Sequence, residues 1–248
     1  MISANKPEEI DYTAYNINDA LIIDNTGAFR DDVELSRHLK AKGASKVLLT
    51  APGKGIPNIV HGVNHKQYNP DKVDIFSAAS CTTNAITPVL KVLEDNFGIK
   101  KGHLETIHAY TNDQNILDAP HRDLRRARAA AHNIIPTTTG AAKAVGLVLP
   151  ELAGRIHGYA MRVPTITGSA TDVTVELSQD ASAEAINAAM KTAAEGPLKG
   201  ILQFSTEPLV SSDIIGNSHG CIFDSQLTSS QGNLVKIMGW YDNEAGYA

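Results

Sequence analysis

The order in which strand-like and helix-like segments follow one another constrains this fold most. Up to residue 80, short apolar runs at Ala20–Asp24 and Lys46–Thr50 flank a charged helical segment, Asp31–Lys42. Such a β-α-β unit predicts a doubly wound parallel sheet of α/β class, which binds ligands at the carboxyl ends of its strands. After residue 80, strand-like runs dominate and predict an α+β domain with a mainly antiparallel sheet. These later segments are strands at Glu105–Tyr110, Ile156–Val163, Ser169–Leu177, Gly220–Asp224 and Leu234–Trp240, and helices at Gly140–Leu149 and Ala183–Ala194.

The junction between these two parts carries the most informative residue, Cys81. It follows the apolar run Val73–Ala79 and begins a segment whose apolar side chains recur every three or four residues. With Ser80 as N-cap, the thiol lies at the positive end of a helix dipole, which predicts a lowered pKa and a thiolate at neutral pH. A lone cysteine is more often a small buried residue. The flanking hydroxyls and the downstream His108 favour a nucleophile assisted by an imidazole.

Several segments along the chain match one enzyme family in order and spacing. They are Ser80–Asn84, His108–Gln114, Asp123–Ala130, Pro136–Lys143, Met161–Thr165 and Trp240–Glu244. Together they resemble phosphorylating glyceraldehyde-3-phosphate dehydrogenases, and erythrose-4-phosphate dehydrogenase is a close relative that shares most of these residues. The resemblance extends from about Asp24 to Ala248, nearly the whole chain.

The resemblance implies covalent catalysis in glycolysis or gluconeogenesis. The Cys81 thiolate adds to the aldehyde of glyceraldehyde 3-phosphate, and His108 takes a proton as hydride leaves for NAD or NADP. Inorganic phosphate then attacks the resulting thioester and releases 1,3-bisphosphoglycerate. A histidine at a strand end is, by itself, more often a structural hydrogen-bonding group than a catalytic one.

The family motifs also imply where the anions and the cofactor bind. Candidate substrate- and phosphate-binding residues are Ser80, Thr82, Thr111, Arg126, Thr139, Gly140 and Arg162. Arginine forks and a helix N-terminus suit phosphate oxygens. Candidate cofactor-binding residues are Thr26, Gly27, Thr50, Asn243 and Tyr247. The pair Ala119-Pro120 mixes the forms of NAD-type and NADP-accepting members, so the resemblance leaves the choice of dinucleotide open.

The chain departs from the family pattern in three places. The expected opening strand, Gly-x-Gly-x-x-Gly turn and helix are missing, because Gly53-Lys54-Gly55 lacks the third glycine. The Rossmann-like sheet is therefore expected to be partial, with residues 1–80 a remnant of the dinucleotide-binding domain, 81–243 the catalytic domain, and 244–248 the start of a missing C-terminal helix. The segment Thr165–Asp172 also differs from the commoner Pro-Thr-Pro-Asn-Val-Ser form.

Composition narrows the possible partners. The 22 basic and 27 acidic residues give a net charge of -5, which argues against nucleic acid as the main partner. No apolar run reaches the length of a membrane-spanning helix. Two cysteines make no disulfide framework, the histidines show no metal spacing, and Cys221 is expected to be structural. We therefore expect a cytoplasmic protein, with a homotetramer implied by the resemblance.

Three alternatives remain open at the level of sequence. Erythrose-4-phosphate dehydrogenase activity would resolve the thioester with water. A catalytically impaired fragment would act only as an interaction module, because half of the dinucleotide fold is missing. A cysteine hydrolase would use Cys81 and His108 without any cofactor.

Overall fold

The chain divides between Ser80 and Cys81 into two units, each built on its own sheet, in the computed structural model, which describes residues 2–248. The predicted combination of a partial parallel sheet with a mainly antiparallel α+β unit is confirmed. The assignment of the first unit to dinucleotide binding, and of residues 244–248 to the start of a helix, stays a prediction.

A three-stranded parallel sheet forms the first unit. Its strands are β1 (Ala20–Asp24), β2 (Ala44–Leu49) and β3 (Ile75–Ser77), in the order β1-β2-β3, and its helix is α1 (Asp32–Leu39). The Asp31 carboxylate caps α1 by accepting a hydrogen bond from the Glu34 amide. The helix ends at Leu39, three residues earlier than predicted, before the chain turns at Gly43 with a φ of 89°.

Only one face of this small sheet is well covered. Helix α1 contributes Leu35 to a core with Val47, Leu49 and Ile75. On β1, which is one of the two edge strands, Leu21 and Ile23 are 47% and 58% exposed. Parallel sheets are usually buried on both faces, so this one resembles part of a larger sheet.

A seven-stranded mixed sheet and three helices form the second unit. The helices are α2 (Cys81–Phe97), α3 (Ala141–Val148) and α4 (Ala183–Glu195). The strands are β4 (Ile99–Ala109), β5 (Ile135–Thr137), β6 (Ile156–Val163), β7 (Ser169–Leu177), β8 (Leu202–Ser205), β9 (Cys221–Gln231) and β10 (Leu234–Tyr241). They lie in the order β5-β6-β4-β7-β10-β9-β8, with β4–β6 and β8–β9 parallel and the other pairs antiparallel.

Helix α2 anchors the second unit because most of its surface is buried. Ile86, Leu90 and Leu93 are fully buried, and the helix packs against α3, α4 and strands at the centre of the sheet. It ends at Phe97, and the φ of 66° at Gly98 lets the chain reverse into β4. This packing fixes Cys81, the first residue of the helix, relative to the strand ends beside it.

The parallel pair β4–β6 brings the predicted site residues to one edge of the sheet. His108 near the end of β4 is in register with Arg162 near the end of β6. Among residues 2–248, no helix is both long and apolar enough to cross a bilayer.

Candidate active site

The thiol of Cys81 and the imidazole of His108 face each other. Cys81 Sγ lies 3.4 Å from His108 Nε2, within reach for proton transfer. Cys81 is partly buried at the start of α2, whereas His108 is only 4% exposed. The structure therefore brings together the two residues that the sequence predicts to be catalytic.

The hydrogen bonds of His108 define which nitrogen faces the thiol as an acceptor. Nδ1 lies 2.6 Å from the carbonyl oxygen of Ala109, which can only accept a hydrogen bond. Arg162 Nη1, which can only donate, lies farther from Nδ1, at 3.2 Å, and has the Ala109 carbonyl oxygen as its own acceptor at 3.1 Å. The shorter contact therefore assigns the hydrogen to Nδ1. In the neutral ring, Nε2 then presents its lone pair to Cys81, which is the arrangement that a general base needs.

Burial keeps both groups neutral, so the predicted thiolate at neutral pH is wrong. Burial raises the pKa of the Cys81 thiol, and the nearby Glu244 carboxylate adds to the rise, although hydrogen bonds with Thr82 and the charge of Arg162 oppose it. Burial, assisted by the charge of Arg162, lowers the pKa of His108 to about 4. The helix starts where it was predicted. However, the free-energy cost of burying a charged thiolate or imidazolium exceeds the stabilisation that the helix dipole offers.

Arg162 forms a cationic group next to this pair. Its Nη1 lies 3.2 Å from His108 Nδ1, 3.1 Å from the Ala109 carbonyl oxygen and 3.3 Å from Thr111 Oγ1. Burial and the charge of Arg126 lower the pKa of Arg162. Its Nε is buried without a hydrogen-bond partner among the described residues. The predicted substrate-phosphate residues Thr111 and Arg162 thus lie together, with donor capacity left over.

Arg126 is held in place by the loop that carries it. It pairs with Asp113, donates from Nε to Thr137 Oγ1 at 3.0 Å and from Nη2 to the Thr138 carbonyl oxygen at 3.1 Å. Asp123 lies 3.6 Å from its Nε. A guanidinium that is 13% exposed and oriented by several partners is no solvated surface charge.

Thr139 and Gly140 mark the start of α3, as predicted. The Ala141 amide donates to Thr139 Oγ1 at 3.2 Å, and Gly140 is the N-cap residue. A Cβ on Gly140 would meet nothing within 4 Å, so its backbone is open to an approaching anion. No described contact links these two residues to Cys81.

Buried hydroxyls lie beside the nucleophile. Thr82 Oγ1 is 4.0 Å from Cys81 Sγ and 2.8 Å from the hydroxyl of Tyr241, which also lies 2.8 Å from Thr106 Oγ1. Burial raises the pKa of Tyr241, so this phenol stays protonated. Ser80 directly precedes Cys81, and its role stays a prediction.

Asn243 and Tyr247 lie just beyond the end of β10. The Asn243 Oδ1 atom accepts hydrogen bonds from Gly168 N at 3.1 Å and from Ser169 Oγ at 2.9 Å. Burial raises the pKa of Tyr247, and the negative charge of a Cys81 thiolate raises it further.

In the first unit, Thr26, Gly27 and Thr50 are linked through Asp24 at the end of β1. The Asp24 carboxylate accepts hydrogen bonds from the backbone and hydroxyl of Thr26 at 2.9 Å and 2.7 Å. The Thr50 amide and hydroxyl both donate to the Asp24 carbonyl oxygen. Gly27 has a φ of 74° and open space where a side chain would be. These predicted cofactor residues thus form one polar group at the carboxyl ends of two parallel strands.

The relatives of the chain identify its family. Residues 80–243 match a family model described as "Glyceraldehyde 3-phosphate dehydrogenase, C-terminal domain". The chain belongs to the glyceraldehyde-3-phosphate dehydrogenase family. It is 53% identical to glyceraldehyde-3-phosphate dehydrogenase 2 of Streptomyces avermitilis over 100% of this chain and 74% of that protein. It is 56% identical to the enzyme of Mycolicibacterium smegmatis and 54% identical to enzyme 1 of Bacillus subtilis, over 92% of this chain and 67% and 68% of those proteins.

Several residues that organise this dehydrogenase site were not singled out by sequence reasoning. Asp24, Asp113 and Asp123 orient candidate ligand-binding residues, and Ser169 and Tyr241 were noted only as parts of longer motifs. For Asp24 the available signal was a polar residue at the end of an apolar strand, and for Asp113 and Asp123 it was their place in the motifs His108–Gln114 and Asp123–Ala130. Cys221 is fully buried, and burial raises its pKa to about 12, as suits a structural thiol. Among residues 2–248, no group of three or more His, Cys, Asp or Glu side chains could hold a metal ion.

Proposed function

We propose that this site oxidises glyceraldehyde 3-phosphate to 1,3-bisphosphoglycerate with NAD and inorganic phosphate, through a covalent intermediate on Cys81. The observation that carries the proposal is the 3.4 Å approach of Cys81 Sγ to an imidazole nitrogen whose lone pair faces it. A neutral thiol next to a neutral base can form its nucleophile at the moment of attack.

The chain's residues account for each proton in the reaction. His108 Nε2 takes the thiol proton as Cys81 attacks the aldehyde carbon, and returns it to the oxygen to give a thiohemiacetal. His108 then takes the hydroxyl proton as hydride leaves the carbon, which makes a thioester. Bound NAD supplies the acceptor for that hydride. Phosphate oxygen attacks the thioester carbon, the carbon–sulfur bond breaks, and Cys81 leaves as a thiolate that regains a proton.

Two cationic groups supply the anion sites that this chemistry needs. Arg162 with Thr111 suits the phosphate of the substrate, because the guanidinium is buried next to His108. Arg126, with Ser80, Thr82, Thr139 and Gly140, suits the attacking phosphate. Charge-assisted, two-pronged contacts to phosphate oxygens are what arginine provides best.

The residues present fit the nicotinamide end of NAD. Asn243 turns its amide nitrogen away from Gly168 and Ser169, because both of their hydrogen bonds go to its oxygen. This leaves Nδ2 to hold the carboxamide, with Tyr247 near the ring. Thr26, Gly27 and Thr50 would contact other parts of the dinucleotide, and the pair Ala119-Pro120 leaves the choice between NAD and NADP open.

The wider setting is part of the same proposal. We propose a cytoplasmic homotetramer without nucleic-acid or membrane partners. The relatives are named for glyceraldehyde 3-phosphate, which favours it over erythrose 4-phosphate as substrate.

The test is NADH formation from glyceraldehyde 3-phosphate at several millimolar NAD, with and without phosphate. We expect turnover to depend on phosphate and to disappear in Cys81→Ser, whereas Cys221→Ser retains it. Turnover that proceeds equally without phosphate would mean that water resolves the thioester, as in the erythrose-4-phosphate alternative. Turnover that survives Cys81→Ser would rule the mechanism out.

A further inference from the structure

The topology of the second unit places Ser169 between two parts of the site. Strand β7 lies between β4 and β10 and runs antiparallel to both. Its first residue, Ser169, therefore lies beside the last residues of its neighbours, Ala109 on β4 and Tyr241 on β10. One strand end carries His108, and the other leads directly into Asn243.

The hydroxyl of Ser169 links these two strand ends. Ser169 is 1% exposed. Its Oγ accepts a hydrogen bond from the Ala109 amide at 3.1 Å and donates one to Asn243 Oδ1 at 2.9 Å. The hydroxyl hydrogen of Ser169 thus bonds to Asn243, and one lone pair of its oxygen bonds to the end of β4 that carries His108.

The same contacts fix the orientation of the Asn243 amide. Gly168 N–H, which can only donate, lies 3.1 Å from Asn243 Oδ1, so the oxygen and not the nitrogen must face β7. The nitrogen is turned toward Glu244 Oε1, 3.4 Å away. A primary amide that gives both lone pairs of its oxygen to fixed donors cannot flip without losing two hydrogen bonds.

The segment around Ser169 also holds the loop that carries Asn243. Thr167 Oγ1 donates to Asp242 Oδ1 at 3.2 Å. The buried Asp242 carboxylate accepts further hydrogen bonds from the amides of Gly216, Glu244 and Ala245. The sequence of the stretch Thr165–Asp172 departs from the common family form. Hydrogen bonds from this stretch help to fix the conformation of residues 242–245.

We propose that Ser169 is a positioning residue that orients the Asn243 amide for the nicotinamide carboxamide and couples this orientation to the strand end that bears His108. The identity of the ligand in this inference rests on the proposed function. The orientation of the Asn243 amide does not, because it follows from the hydrogen bonds alone. Ser169 itself touches neither substrate nor cofactor. Its effect on the reaction passes through Asn243.

Matched variants separate positioning from simple packing. Ser169→Ala removes the donor to Asn243 and leaves the Ala109 amide without its acceptor. Thr171→Val is the control, because Thr171 is equally buried on the same strand and donates instead to the Gly239 carbonyl oxygen. Ser169→Thr, which keeps the hydroxyl, should restore whatever depends on it. Thermal unfolding and circular dichroism identify any variant that fails to fold.

The first measurement needs no dinucleotide. In a chain labelled with ¹⁵N-asparagine, the side-chain amide signal of Asn243 is assigned by its loss in Asn243→Ala. We expect this amide to be rigid in the unmodified chain and in Thr171→Val, and mobile in Ser169→Ala. An Asn243 amide that stays equally rigid in a folded Ser169→Ala variant would overturn the proposal.

The second measurement concerns the nicotinamide end alone. We expect Ser169→Ala to raise the KM for NAD on the order of tenfold, the effect of one lost hydrogen bond, with little change in the KM for glyceraldehyde 3-phosphate. Inhibition by ADP-ribose, which lacks the nicotinamide ring, should be unchanged. In an Asn243→Ala background, Ser169→Ala should have no further effect on the KM for NAD.

These outcomes separate the role of Ser169 from the proposed reaction. Equal losses for both substrates, or additive losses in the double variant, would show a merely structural Ser169 and contradict the inference. If the unmodified chain forms no NADH at saturating NAD while Ser169→Ala still loosens the Asn243 amide, the proposed function fails and the orienting role of Ser169 stands.

Discussion

At the scale of single residues, the site depends on a thiol and an imidazole that burial keeps in their neutral forms. Cys81 and His108 do not form an ion pair, because the pKa of the thiol is raised and the pKa of the imidazole is lowered. The positive end of α2 and the Arg162 charge reduce the cost of forming a thiolate, without reversing the effect of burial. Proton transfer to His108 during attack is the consequence.

The first prediction concerns the reactivity of the two thiols. With limiting iodoacetamide we expect alkylation of Cys81 and not of the enclosed Cys221, at a rate that rises with pH above neutrality as the thiol ionises. His108→Gln should slow this reaction near pH 7, because the proton acceptor is lost. Mass mapping of the adducts gives the measurement. Preferential labelling of Cys221, or a rate already at its plateau at pH 6, would contradict this protonation state.

The second prediction is a loss of stability in mild acid. The pKa of His108 is about 4 in the folded protein and about 6.5 when exposed, so the unfolded chain binds a proton first as the pH falls. The stabilising contribution is complete above pH 6.5 and is lost between about pH 6.5 and pH 4. It amounts to about 3 kcal/mol in the free energy of unfolding.

Urea unfolding at a series of pH values checks this window. His108→Gln cannot take up the proton and should show a shallower decline in the free energy of unfolding between pH 6.5 and 4. Parallel declines in the two proteins would mean that His108 is not held neutral in the fold.

At the scale of elements, backbone geometry around β7 controls the shape of the Asn243 loop. Gly168 has a φ of 92°, and a Cβ there would lie 2.6 Å from the Ser211 carbonyl oxygen. Gly200 has a similar φ of 81°, but a Cβ there would meet nothing within 4 Å. Comparing alanine variants at these two glycines therefore distinguishes the cost of a strained φ from the cost of a steric clash with the Ser211 backbone.

We expect Gly168→Ala to destabilise the protein by more than Gly200→Ala. Gly200→Ala should cost about 1–2 kcal/mol of unfolding free energy from the left-handed conformation alone. Gly168→Ala adds a displacement of β7 or of Ser211, so we expect about 3 kcal/mol or more in total. Denaturant unfolding of both variants gives the comparison. Equal losses would show that the Ser211 backbone gives way freely.

Sequence patterns predicted strands with a clear apolar run and missed the polar parts of longer strands. Strand β4 begins at Ile99, six residues before the predicted start at Glu105, because Lys100 and Lys101 interrupt the apolar pattern. Strands β1, β6 and β7 occupy the predicted residues, because each is a clear apolar or alternating run. Strand β9 is longer than predicted, since its second half, after Asp224, is polar and exposed. The short strands β5 and β8 carry too few residues for a periodic signal.

The candidate site was predictable to the extent that motifs carry it. Cys81, His108 and Arg162 were each found from sequence, and the structure brings them together. The prediction of a lowered pKa for Cys81 was wrong because it was based on the helix start and did not include the burial of the thiol. Ser169 could not be recognised, because its role depends on β7 lying between β4 and β10, which no local pattern reveals.

At the scale of the whole molecule, the two units differ in how well their sheets are covered. The seven-stranded unit buries apolar side chains of helix α2 and of its central strands, whereas the three-stranded unit exposes Leu21 and Ile23 along an edge strand. The 248 residues contain no Gly-x-Gly-x-x-Gly turn at a helix start to hold a pyrophosphate.

We therefore expect this chain to bind NAD and NADP no more tightly than about 1 mM. The remaining contacts, from Thr26, Gly27, Thr50 and Asn243, touch only parts of a dinucleotide. Calorimetric titration of the purified chain with each dinucleotide gives the affinity. Micromolar binding would show that other residues, or a second copy of the chain, hold the pyrophosphate without a Gly-x-Gly-x-x-Gly turn.

The chemistry of Cys81 can be tested without any dinucleotide by running its last step in reverse. The thiol should attack the acyl phosphate of 1,3-bisphosphoglycerate, release inorganic phosphate and retain the acyl group as a thioester, which intact-mass and peptide analysis detect. We predict one acyl group per chain, on Cys81, with an equal amount of phosphate released, a slower reaction in His108→Gln and none in Cys81→Ser. Acylation of Cys221, or equal acylation of Cys81→Ser, would contradict the assignment of Cys81 as the nucleophile.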